Sequence, residues 1–182
     1  MTSATIEAHR CWPLAVHESA HAVAGVLFGL RLARLEIDLR AWQGVTFFET
    51  PFPPGRWREE LLVSLAGEIA QKRADPSGWS LDNGVGRSRA AADLQQARRA
   101  AGKLDRDEHL AERRMAEGQL AAAALVNTLW PTIAALAERL LDAEGRLEGD
   151  AVALFLEREL PRERRAAIAG RCAFAREESY GG

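Results

Sequence analysis

Residues 14–28 read Leu14-Ala15-Val16-His17-Glu18-Ser19-Ala20-His21-Ala22-Val23-Ala24-Gly25-Val26-Leu27-Phe28. Apolar positions recur there at close to helical spacing, Pro13 suits a first helical turn, and Gly29 offers a stop. The segment is therefore predicted as the first helix. Within it lies His-Glu-x-x-His, spanning His17 to His21. Residues four apart share a helical face, so both imidazoles can aim at one ion while Glu18 reaches a water held there. Zinc suits two neutral imidazoles. It lowers the pKa of its bound water towards about 7 and polarises a carbonyl, while a neighbouring carboxylate takes the proton. The expectation is peptide-bond hydrolysis at a single-metal site, with His17 and His21 as ligands and Glu18 as general base. Only four histidines occur in the chain, so a chance match at this spacing is rare.

A catalytic zinc usually takes three protein ligands and keeps one open position. The longer pattern with a third histidine needs Gly at position 24 and His at position 27, where the chain has Ala24 and Leu27. A downstream carboxylate remains, and Glu59, Glu60, Glu68 and Asp93 are all candidates. Spacing alone does not choose among them.

Outside the motif, composition sets the frame. A chain of 182 residues suits one well-buried domain, and its long Ala, Leu, Arg and Glu-rich stretches favour helix. The fold class expected is mainly α, of the α+β type, with a small β-strand pair after the zinc-binding helix. A formal net charge of -2 gives no strong overall field for nucleic acid or anionic lipid, leaving only local patches. Cys11 and Cys172 form no Cys-x-x-Cys pair, and residues 1–10 carry no basic region followed by an apolar run. A cytoplasmic location follows as an expectation. The apolar run at 22–30 is shorter than the roughly 20 residues a bilayer span needs, so no membrane span is expected.

Residues 32–39 and 45–49, with Gly44 between them, read as two strands. Pro51, Pro53, Pro54 and Gly55 read as an exposed turn, and a second helix is expected over 57–74. The Gly, Asn and Ser-rich stretch 75–86 reads as a loop, followed by helices over 90–104 and 107–129, the latter ending before Pro131. Apolar spacing marks helices over 133–141 and 151–160, with 144–149 as a turn. A single domain over 1–160 and an arginine-rich peripheral helix or tail over 161–182 complete the layout. His9 and His109 lack partners at ligand spacing. The five tryptophans read as packing, with Trp79 in the loop as a candidate groove residue.

Several blocks in order resemble the peptidase domain of the FtsH family of ATP-dependent zinc metalloproteases. His17-Glu18-Ser19-Ala20-His21-Ala22-Val23 resembles that family's zinc helix, and Leu35-Glu36-Ile37 with Gly44-Val45-Thr46 its following strand pair. Leu65-Ala66-Gly67-Glu68-Ile69-Ala70 is similar to the helix packed near the metal, and Ala92-Asp93-Leu94-Gln95-Gln96-Ala97 to the segment supplying the third ligand. The resemblance covers residues 12–156. It implies Zn2+ bound by His17, His21 and Asp93, with Glu18 as base and a polypeptide as substrate.

The departures are specific. The family commonly has Gly-Arg-Ala-Ala-Glu-Glu where this chain has Gly67-Glu68-Ile69-Ala70-Gln71-Lys72, so an acidic pair is missing. Arg98 stands where a small threonine is usual. No Walker A sequence occurs, since Gly102-Lys103 lacks the preceding glycine and the following Ser or Thr. Such a domain alone would cut flexible polypeptides, unless it self-associates or joins a separate ATPase. The alternative is a catalytically idle, zinc-containing adaptor of the same fold.

Overall fold

The computed structural model describes residues 3–38, 40–82 and 84–172. Its fold is mainly helical with a small antiparallel sheet, as the composition implied. The motif helix, α1 (Ser3–Leu27), is buried at every position from 11 to 25 except Trp12, which is half-buried. A helix apolar on all sides must be covered on all sides. It is covered by α2 (Trp57–Ala74), α5 (Glu108–Asp142) and the sheet. α2 in turn packs on α4 (Gly84–Leu104), which is how a residue 76 positions beyond His17 comes to face it.

Both prolines read as helix boundaries lie inside helices, Pro13 in α1 and Pro131 in α5. Each removes one backbone hydrogen bond, a cost of roughly 3 kcal/mol in a helix interior. Burial offsets it. Cys11, Leu14, Ala15 and Val16 around Pro13, and Leu129, Ile133 and Leu136 around Pro131, are all at most 2% exposed. Thus 107–129 and 133–141 form one helix of 35 residues, begun by Asp107, whose side chain accepts from the Leu110 N–H at 3.0 Å. By length and composition α5 is apolar enough to cross a bilayer, but here Leu125, Val126, Leu129, Ile133, Leu136 and Leu140 lie in the core.

The sheet has the order β2-β1-β3 and includes a strand the sequence did not reveal. β1 (Leu32–Asp38) sends Leu32, Leu35 and Ile37 into the core and pairs antiparallel with β2 (Gln43–Phe48), with Leu35 opposite Thr46. Gly44 thus lies within β2 rather than before it. On its other edge β1 pairs with β3 (Arg146–Glu148), where a turn was expected. Three residues are too few to show an alternating pattern. Their placement comes from the preceding turn, where Glu144 (φ 54°) and Gly145 (φ 90°) reverse the chain and the Gly145 carbonyl accepts the Ile37 N–H at 2.7 Å.

The stretch 75–86 is more ordered than a loop. It holds a one-turn helix, α3 (Trp79–Asp82), and the start of α4 at Gly84. Asp75 organises it, its Oδ2 accepting the Ser80 N–H at 2.7 Å while its Oδ1 accepts the Ser77 hydroxyl. At the other end α6 (Gly149–Glu159) packs on β1, and α7 (Arg162–Arg171) lays the buried Ile168 against the core. Residues 173–182 of the arginine-rich tail lie outside the described residues.

Candidate metal centre

Four elements converge on the buried face of α1 that carries His17 and His21. The imidazoles stand edge to face, ring centroids 4.7 Å apart. Each is held through Nδ1. His21 Nδ1–H donates to the Val63 carbonyl at 2.8 Å, and His17 Nδ1–H donates to Gln71 Oε1 at 2.8 Å. Both acceptors belong to α2. A carbonyl oxygen can only accept, so the proton of neutral His21 sits on Nδ1 and its Nε2 offers a lone pair.

The two Nε2 atoms face each other at 3.0 Å, and Asp93 Oδ2 from α4 lies 3.1 Å from His17 Nε2 and 3.4 Å from His21 Nε2. Three lone-pair donors, two from neutral imidazoles and one from a carboxylate, thus converge on one point. They need a cation or a shared proton between them. Donors around a tetrahedral zinc stand about 3.3 Å apart, given metal–nitrogen and metal–oxygen distances of about 2.0–2.2 Å. The observed triangle matches that size, so the donor set fits the ion.

Gly67 makes the space. A Cβ there would lie 2.3 Å from His21 Nε2 and 2.7 Å from His17 Nε2, so the bare Cα of α2 closes one side of the centre. A second glycine serves Glu18. A Cβ on Gly44 would lie 2.6 Å from Glu18 Cγ and 2.9 Å from its Oε1. Thr46, two residues further along the same face of β2, has its hydroxyl 2.8 Å from Glu18 Oε2 and 3.0 Å from the Glu18 carbonyl oxygen. Glu18, only 3% exposed, is therefore gripped by β2 beside the histidines. All four side chains open onto a cleft of about 580 Å³, walled by β2 on one side and by Ala92 and Gln96 of α4 on another.

The other candidates fall elsewhere. Glu59 pairs with Arg56 at 3.1 Å, Glu68 pairs with Lys72, and Glu60 lines the cleft without joining the triad. His109, Arg98 and Trp79 are exposed, and Trp79 packs edge to face on Trp42 at 5.7 Å without lining the cleft. The side chain of His9 lies outside the described residues. Sequence reading missed Gln71, Val63 and Gly67 as parts of the site, and offered Gly44 and Thr46 only as members of a strand that could pair with substrate, not as the residues that hold Glu18. For Gln71 a signal existed: it occupies the first glutamate of the resembled family's acidic pair, so a neutral amide supplies the acceptor there.

Electrostatics follow from the convergence. Burial opposes charge on Asp93, but hydrogen bonds from His17 and His21 outweigh it and hold the carboxyl well below the usual carboxylate range. Burial likewise opposes charge on His21, yet the Asp93 hydrogen bond, the charges of Asp93 and Glu18 and the Val63 carbonyl raise its pKa above the usual value. The lowered carboxyl stabilises the ion-free fold above about pH 4 and loses that effect as pH falls through its folded pKa. The raised imidazole stabilises it below about pH 6.5, an effect lost as pH rises through its folded pKa. A bound ion replaces that proton. The rise in Tm produced by zinc over a chelator control should therefore grow from about pH 5.5 to 8. A zinc-induced shift that stays flat across this range would contradict the arrangement.

Across the whole chain, no protein-family model matches, and a search of the curated proteins finds no match either.

Proposed function

We propose that this chain is a zinc-dependent metalloendopeptidase hydrolysing peptide bonds in flexible polypeptides. The observation that carries the reading is the convergence of His17 Nε2, His21 Nε2 and Asp93 Oδ2 on one point, with the Glu18 carboxylate held beside it at the floor of a cleft. Zinc bound by those three atoms would supply a Lewis acid and an acidified water. His17 and His21 present neutral nitrogens because Gln71 and Val63 occupy their Nδ1 protons. Glu18 takes the proton of the attacking water and returns it to the leaving amine. Thr46 and Gly44 hold that carboxylate in one place. β2 is an edge strand of the sheet and lines the cleft through Gly44, Val45, Thr46 and Phe48, which suits an extended polypeptide pairing along it.

Folded substrates would need an unfolding partner, either a separate ATPase or an assembly of copies of this chain. The test of the reading is metal content and cleavage together. Elemental analysis should find one zinc per wild-type chain and little in Asp93→Ala, with cleavage of unfolded casein lost in step. Zinc without any cleavage would favour the idle adaptor, and no zinc in the wild type would sink the proposal.

A further inference from the structure

The cleft does not end at the metal centre. A second groove of about 330 Å³, lined by Trp57, Glu60, Gln96, Arg99 and Lys103, shares Glu60 and Gln96 with it. The two meet at a bridge between α2 and α4, where Gln96 Nε2 donates to Glu60 Oε1 at 3.3 Å. One face of α4 runs along both. At about 100° per residue, Ala92, Asp93, Gln96, Arg99 and Lys103 fall within an arc of about 120°. The face thus begins with Asp93 at the metal centre and ends with two cations four residues apart. Neither cation is paired with a carboxylate among the described residues, and Arg99 Nε donates only to Gln95 O of its own helix, at 3.4 Å.

We propose that this groove is a subsite for an acidic group of the polypeptide, held by Arg99 and Lys103, three to five residues from the bond placed at Glu18. Distance sets the number. Arg99 is six residues from Asp93 along α4 and Lys103 is ten, which is about 9 and 15 Å at 1.5 Å per residue. An extended peptide advances about 3.3 Å per residue, so three to five residues cover that span. Glu60 sharpens the register, because its carboxylate stands at the bridge and repels an acid placed there while leaving one beyond it to the cations. Trp57 forms the groove's aromatic wall. The ligand chemistry is a carboxylate, supplied either by an internal Asp or Glu side chain or by the free C-terminus of the peptide.

The assignment of the distance rests on the metallopeptidase reading, whereas binding of the acid does not. The experiment is fluorescence anisotropy of rhodamine-labelled ten-residue peptides with Glu18→Gln protein, which binds without turnover. Peptides carry Glu, Ala or Lys at each position in turn, with free or amidated C-termini. A glutamate at one position should bind about threefold to tenfold more tightly than alanine there in low salt, a gap that narrows as salt rises. If the C-terminus is the source, amidation should remove the same factor. In Arg99→Glu/Lys103→Glu, two exposed substitutions, the preference should invert towards lysine. Peptides that bind alike whatever their charge, bind in no case, or keep the acidic preference in the double variant overturn the proposal. Acid-selective binding without cleavage by the wild type would sink the hydrolase reading alone.

Discussion

Glu18→Gln is expected to lower kcat for a flexible polypeptide by about 10²–10⁴-fold while leaving one zinc per chain. The change keeps size and shape, and the glutamine oxygen can still accept from the Thr46 hydroxyl that now lies 2.8 Å from Glu18 Oε2. What disappears is the proton acceptor. None of the three converging donor atoms belongs to Glu18, so the ion's affinity should hardly move. Elemental analysis beside a cleavage assay on the same preparation separates the two effects. Residual activity equal to wild type would remove Glu18 from the chemistry. Loss of zinc would show that its carboxylate, too, helps to hold the ion.

The contrast between Glu18 and the residues around it explains what a sequence can disclose. Its two flanking histidines are legible because helical geometry alone, a local property, places them on one face. Asp93 is not local. It reaches the histidines only because α4 packs on α2 and α2 on α1, and the sequence offered it through resemblance while leaving Glu59, Glu60 and Glu68 equally open by spacing. Val63 was further from view, since it acts by a backbone carbonyl that any residue would have, and Gln71 showed only as a departure from an acidic pair, with nothing to say which side chain its amide would meet. The helices themselves were read well where breakers and periodicity agreed, as over 57–74, which matches α2 residue for residue. They were misread where a proline was taken for a boundary. Pro13 and Pro131 stand amid side chains buried enough to hold the helix together across the missing bond. β3 stayed hidden because three residues carry no period, and only the β1 edge gives them a partner.

Gly67→Ala should abolish zinc binding without unfolding the protein, lowering affinity by at least about a hundredfold. In helix propensity alone alanine beats glycine by about 1 kcal/mol, so α2 should tolerate the change. Its methyl is what cannot be placed. It would stand 2.3 Å from His21 Nε2 and 2.8 Å from His21 Cε1, well inside contact distance, and 2.7 Å from His17 Nε2. Neither ring can retreat freely, because Val63 and Gln71 hold them from behind at 2.8 Å. Relief requires breaking one of those hydrogen bonds or turning an Nε2 away from the shared point, and either scatters the donor triangle. Gly102→Ala is the control. It lies in α4, where a Cβ meets nothing within 4 Å, so it should raise stability slightly and leave zinc untouched. Circular dichroism and thermal unfolding would report the fold, and competition with a chromogenic chelator the zinc affinity. Wild-type zinc affinity in a folded Gly67→Ala variant would mean that the ion, if bound, sits somewhere other than between these two histidines.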